Sequence, residues 1–197
     1  MFQINKNEVN IMYKVIIPLA LLSSMSISAI AADQGNGRVN FIGEIINAPC
    51  SISPESIDQT VNLGQISNTA LQKGGASPAQ TFTIQLEDCA FDEATAPVGA
   101  GLKLTFTGSD AGFGNLLGVT GFENSPSNNT GNVGIQINNA KNEQVVLGTA
   151  LDLGNTLQNG SNTLLFTSFL RGAPTSKLED IPLGNFWGVT NFTIEYN

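Results

Sequence analysis

The chain has 197 residues, with 8 Lys+Arg, 16 Asp+Glu, 2 Cys, 21 Gly, no His and a formal charge of −8. That length allows one domain or at most two small ones; the lack of histidine excludes Ser/His/Asp and Cys/His catalysis and histidine-ligated metals, and two cysteines build neither a four-cysteine zinc site nor an iron–sulfur cluster. The negative charge argues against a nucleic-acid partner, whose affinity comes largely from Lys and Arg on phosphates, while sparse charge with many Gly, Asn, Ser, Thr and β-branched residues points to a secreted all-β protein.

In chain order, the first element is a targeting segment. Lys14 precedes the apolar run Val15 to Leu22, small residues follow, and Ala29-Ile30-Ala31-Ala32 stands before the polar Asp33. This is the charged region, short apolar core and small-residue cleavage site of a secretory signal peptide, with cleavage after Ala31 or Ala32 and Met12 as an alternative start. As a membrane span it is too short and carries Pro18 and several serines. Cleavage removes residues 1–32, and with them Lys6, Lys14 and Glu8, so the mature chain is one unit more negative.

The mature N-terminus, residues 33–42, alternates Gly35, Gly37, Val39 and Phe41 on one phase with mostly polar residues on the other. This is a strand pattern whose glycines leave little side chain to pack at home. Phe41 to Ile46 and Thr60 to Leu63 are further strand candidates, and Ile66 to Lys73 reads as a short helical turn. Strict alternation then predicts half-buried strands over Thr81 to Leu86, Leu102 to Thr107 and Val133 to Ile137. Gly121 to Asn132 is a turn-rich stretch with no assigned role. Asn162 to Leu170 and Trp187 to Tyr196 complete the strands. The last segment places Gly184, Phe186, Phe192, Ile194 and Tyr196 on one face, strongly apolar for a chain end that would ordinarily fray. Short strands with neither a sustained helical pattern nor an internal repeat imply a single β-sandwich spanning 43–197. Export into an oxidising compartment pairs Cys50 with Cys89, the only pairing one chain allows.

A set of local patterns recurs in a known order: Gly37-x-Val39-x-Phe41-x-Gly43, Asn47-Ala48-Pro49-Cys50-Ser51-Ile52, Asp58-Gln59-Thr60-Val61-x-Leu63-Gly64-Gln65, Phe82-x-Ile84-x-Leu86-x-Asp88-Cys89, and Phe192 to Asn197 with its penultimate Tyr196. Together they resemble the pilin subunits of chaperone-usher fimbriae, especially major rod subunits of the type 1 and P pilus kind. The resemblance implies an incomplete immunoglobulin-like sandwich that lacks its final strand and is completed by a strand from a partner, a mode of β-strand addition. It further implies a donor face of Gly35, Gly37, Val39 and Phe41, and an acceptor groove with a chaperone-facing strand at Gly184, Phe186, Phe192, Ile194 and Tyr196. The implied partners are neighbouring pilin subunits, a periplasmic chaperone and an outer-membrane usher, with no nucleic acid, no direct membrane insertion and no cofactor or metal. The implied location is a cell-surface fimbrium reached through the periplasm.

Two other classes compete. A secreted carbohydrate-binding sandwich, or a minor tip or adaptor pilin, would present loop aromatics or a calcium cage; the loops hold Phe113 and Phe122, and Trp187 falls in an expected strand. An enzyme without histidine needs paired carboxylates. Glu87-Asp88 and Asp92-Glu93 flank Cys89 but read as a solvated strand end, and Gly35-x-Gly37 has Asn40 where a nucleotide loop needs glycine.

Overall fold

The computed structural model describes residues 37–91, 101–122, 132–153 and 157–196. The signal segment, Gly35, the Asp92-Glu93 pair and the middle of the 121–132 stretch lie outside the described residues. The chain divides into a unit ending at Glu44 and a unit running from Ile45 to Asn197. In the first, residues 37–44 form neither helix nor strand, and Val39 and Phe41 are 75% and 92% exposed. The strand expected over Phe41 to Ile46 is therefore not formed: residues 41–46 join no described ladder, and a Cβ added at Gly37 or Gly43 would meet nothing within 4 Å.

The second unit is a sandwich of two antiparallel sheets. Eight strands are formed in the described residues: β1 (Ser51–Ile52), β2 (Gln80–Cys89), β3 (Leu102–Gly108), β4 (Leu117–Gly118), β5 (Val133–Asn139), β6 (Ala150–Asp152), β7 (Gly160–Gly172) and β8 (Thr190–Tyr196), with short helices α1 (Pro54–Ile57) and α2 (Asn68–Leu71). One sheet has the order β1-β2-β7-β5-β4, the other β6-β3-β8. The alternation read from sequence becomes the inner faces: Ile84 and Leu86 of β2 and Leu164 and Phe166 of β7 meet Leu102, Leu104 and Phe106 of β3 in one buried cluster. Side chains at every second position stand on one side of a pleated strand, so each strand contributes one apolar row. Aromatic rings tie the sheets together. Phe166 stacks on Phe82 at 5.4 Å and meets Phe106 edge-on at 5.1 Å, both favoured geometries.

Two local departures break this regularity. Pairing of β2 with β7 slips between Leu86↔Asn162 and Cys89↔Gly160, and Asp88 takes a positive φ of 50°. The extra residue is a β-bulge that reverses the phase, so Cys89 turns inward although Leu86 already faces the core. There it bonds Cys50, and both are buried. Glu87 and Asp88 remain exposed.

The second departure is at Thr60 to Leu63, which does not form the expected strand. Val61 and Leu63 still turn one half-buried face inward, but the edge of β2 above β1 is satisfied by side chains instead. The Ser56 hydroxyl accepts the Gln85 N–H at 2.9 Å, and the Gln59 amide donates to the Thr83 carbonyl at 3.0 Å. Those two backbone groups are therefore paired without a ladder from the 57–66 segment. The helical turn expected at Ile66 to Lys73 is present as α2 and the 3-10 turn after it.

Candidate functional site

β8 stands at the edge of its sheet, hydrogen-bonded to β3 from Leu102↔Tyr196 to Gly108↔Thr190. Beside it lies a groove of about 1070 Å³. One wall is the irregular run from Ser56 to Ile66 and the other is Ile181 to Phe192. Between them the floor is made by Ile84, Phe106, Leu117, Ile135 and Leu170. These are inward-facing strand residues, and alternation in each strand delivers them to one surface.

Among the described lining residues only Asp58 carries a charge. The rims are apolar and wet: Ile57, Leu183, Val189 and Trp187 are exposed, the indole at 59%. Most soluble surfaces scatter such residues singly, so a row of them along a groove marks an interaction site. An edge strand adjoining it adds backbone donors and acceptors along the same line. Together these features suit an extended apolar segment, held by main-chain hydrogen bonds and by alternate side chains set into the floor. They offer little to acid–base chemistry, and among the described residues no group of three His, Cys, Asp or Glu is placed to hold a metal. Nor is any described helix long and apolar enough to cross a membrane.

Of the residues expected at an acceptor surface, Gly184, Phe186 and Phe192 line the groove. Gly184 sits at φ 120°, a conformation open to glycine, where the chain turns along the rim. Phe186 stacks on Phe122 at 5.8 Å, and the Phe192 ring lies 6.3 Å from Phe106. Ile194 and Tyr196 continue the same face of β8 beyond the groove, into the core near the disulfide. The Tyr196 hydroxyl lies 3.5 Å from the Cys50 carbonyl oxygen, and burial pushes its pKa above the ordinary 10.0. Of the expected donor face, Gly37, Val39 and Phe41 are exposed and unpaired with any described strand.

Leu183, Trp187 and Val189 were not legible as site residues, because they occupy the phase opposite to Phe186 and Phe192. The expected strand from Trp187 begins only at Thr190; before it, Trp187 forms an isolated bridge with Thr120. Gly184 and Gly188, on the phase of Phe186, were the available signal that this stretch does not stay flat, so both phases reach the groove.

The Fimbrial protein family model matches residues 39–197. The chain is 40% identical over 184 residues to the Fimbria A protein of Serratia marcescens, covering 93% of this chain and 97% of that one. It is 39% identical over 177 residues to the Major MR/P fimbria protein of Proteus mirabilis, covering 89% and 92%. Among solved structures, a crystal structure of the P pilus rod subunit matches with a TM-score of 0.60 at 31% identity, covering 76% of this chain and all of that one. A chaperone-usher pilus structure that concerns rod uncoiling matches at 0.67 and 32%, covering 86% and 100%.

Proposed function

The chain belongs to the fimbrial protein family and is a structural subunit of a surface fimbria exported through the periplasm; from that premise we propose that its groove receives an extended strand from a partner. We propose further that residues 33–42 supply the same strand to the groove of a neighbour. The carrying observation is an edge strand, β8, beside an apolar groove with exposed rims, in a chain whose exposed Val39 and Phe41 alternate with polar residues.

The energetics favour this reading. The four exposed rim side chains, Ile57, Leu183, Trp187 and Val189, forfeit up to roughly 1.5–3 kcal/mol each, on the order of 10 kcal/mol, the size of a typical domain's whole stability. A partner strand restores that burial and pairs the open edge, so completing the fold and joining the polymer become one event. Gly35 and Gly37 let the donor backbone approach closely where the groove is shallow. Donor and groove are different surfaces, so the association runs head to tail and extends without closing. In this scheme a periplasmic chaperone fills the groove first, and at an outer-membrane usher the next subunit's arm replaces it. The likeness to rod subunits favours a rod position over a tip or adaptor one.

Deleting residues 33–40 tests the assignment. The truncated subunit is expected to be captured by its chaperone but unable to extend a fibre, read by electron microscopy and by co-purification. Fibres of ordinary length assembled from it would overturn the donor role.

A further inference from the structure

The long stretch from Gly121 to Asn132 has no part in the strand-exchange scheme, yet its first end packs on the groove wall and its last on the turn that leads into that wall. At its start, Thr120 and Trp187 exchange two backbone hydrogen bonds, Thr120 N–H to the Trp187 carbonyl at 2.8 Å and Trp187 N–H to the Thr120 carbonyl at 2.9 Å. Gly121, at φ 105°, lies directly against the Trp187 ring, and any Cβ placed there would overlap the indole. Phe122 then stacks on Phe186 with the ring planes 28° apart. At the other end, the Asn132 side-chain amide donates to the Asp180 carbonyl at 3.0 Å, while the Asn132 carbonyl accepts the Ala173 N–H at 2.8 Å.

The stretch of wall between those grips, Asp180 to Trp187, has no ladder of its own. It leaves a 3-10 turn at Leu178–Asp180 and reaches β8 only at Thr190. Ile181 anchors it into a second buried cluster with Leu71, Val119, Val133 and Leu170, against which Phe122 and Phe186 also pack. A segment without regular backbone pairing is held by its side-chain and turn contacts, and it opens locally when those are removed. The position of this wall is therefore set from β4 and β5 through the two ends of the connection between them, rather than from β8.

We propose that Phe122 and Asn132 are positioning residues that hold the Asp180–Trp187 wall at the spacing of an inserted strand, and so govern how fast that strand is released. The proposal rests on the groove being the strand acceptor. Asn132 lies outside the groove lining and acts through Asp180, while Phe122 lines the groove and also fixes the wall through its stack on Phe186.

The test uses fibres assembled from the full chain, with subunit release followed in mild denaturant. Phe122→Ala and Asn132→Ala are expected to release subunits about 3- to 10-fold faster, the range an aromatic stack or one hydrogen bond commands. Phe122→Tyr should restore the wild-type rate. Amide exchange of β2 and β7 in the same fibres is expected to stay unchanged, which a general loss of stability would not allow. If Phe122→Ala fails to assemble, Phe122→Leu, which keeps apolar volume without the ring stack, carries the measurement. Release at the wild-type rate from both the Asn132 and the Phe122 variants, or acceleration matched by equal loss of protection in β2 and β7, overturns the proposal. Failure of the acceptor reading is separate: it shows as no gain in melting temperature when a peptide of residues 33–43 is added to the subunit lacking residues 33–40, whatever the wall variants do.

Discussion

Cys89 shows at the residue scale how a single backbone event decides a site. Its partner was evident from the count of two cysteines, but the strand alternation through Phe82, Ile84 and Leu86 would point residue 89 outward. Asp88 at positive φ supplies the bulge that turns it in. Closing a loop across a separation of 39 residues removes unfolded-state entropy equivalent to roughly 4 kcal/mol. Tyr196 lies beside the same disulfide, and burial raises its phenol above 10.0. The buried neutral phenol therefore contributes stability that is fully present below about pH 10 and is lost as pH rises through the raised value. Tyr196→Phe should abolish that component. The difference in melting temperature between wild type and variant is expected to be constant from about pH 6 to 9 and to change in the variant's favour above about pH 10. A difference that stays constant through about pH 11 would contradict the burial argument.

At the level of elements, the informative case is the 57–66 segment. Sequence alternation put Val61 and Leu63 on one inward face, but alternation reports which side chains are buried, not whether the backbone finds a ladder. Here the neighbouring edge of β2 is already occupied by the Ser56 hydroxyl and the Gln59 amide, so the segment runs along the groove as a wall. Ser56→Ala leaves the Gln85 N–H without that acceptor, at a cost of about 1–3 kcal/mol for an unsatisfied group. A fall in melting temperature of at least several degrees is expected from calorimetry; an unchanged transition would mean that the edge finds another partner. The C-terminal element divides in the same way. Phe192, Ile194 and Tyr196 were legible as one face of a strand, whereas the division of that face between groove and disulfide end depends on where the opposite wall stops.

On the scale of the whole molecule, a subunit lacking its partner strand should gain stability from any segment that fills the groove. Adding a synthetic peptide of residues 33–43 to the subunit lacking residues 33–40 is therefore expected to raise its melting temperature, by about 2.7 kcal/mol of stability at a hundredfold excess over Kd. A peptide with Val39 and Phe41 changed to Asp should give no shift, and an equal shift from both peptides would count against side-chain reading by the groove. Much of this organisation was written in the chain. Export, the cysteine pair, four long strands and the apolar last strand follow from composition, from a period of two and from turn residues, all of which are local properties of consecutive residues. The same local alternation set the exposed Val39 and Phe41, proposed as part of a donor strand, apart from ordinary core. What the chain alone left open is everything that depends on neighbours distant in sequence: the bulge that aims Cys89, the ladderless wall at 57–66, the Trp187–Thr120 bridge, and the joining of the two ends of the 121–132 stretch to the groove wall and to the turn that leads into it. Those arise because two walls more than a hundred residues apart must share one apolar floor, and only the packed sheets fix which backbone edges are left to meet there.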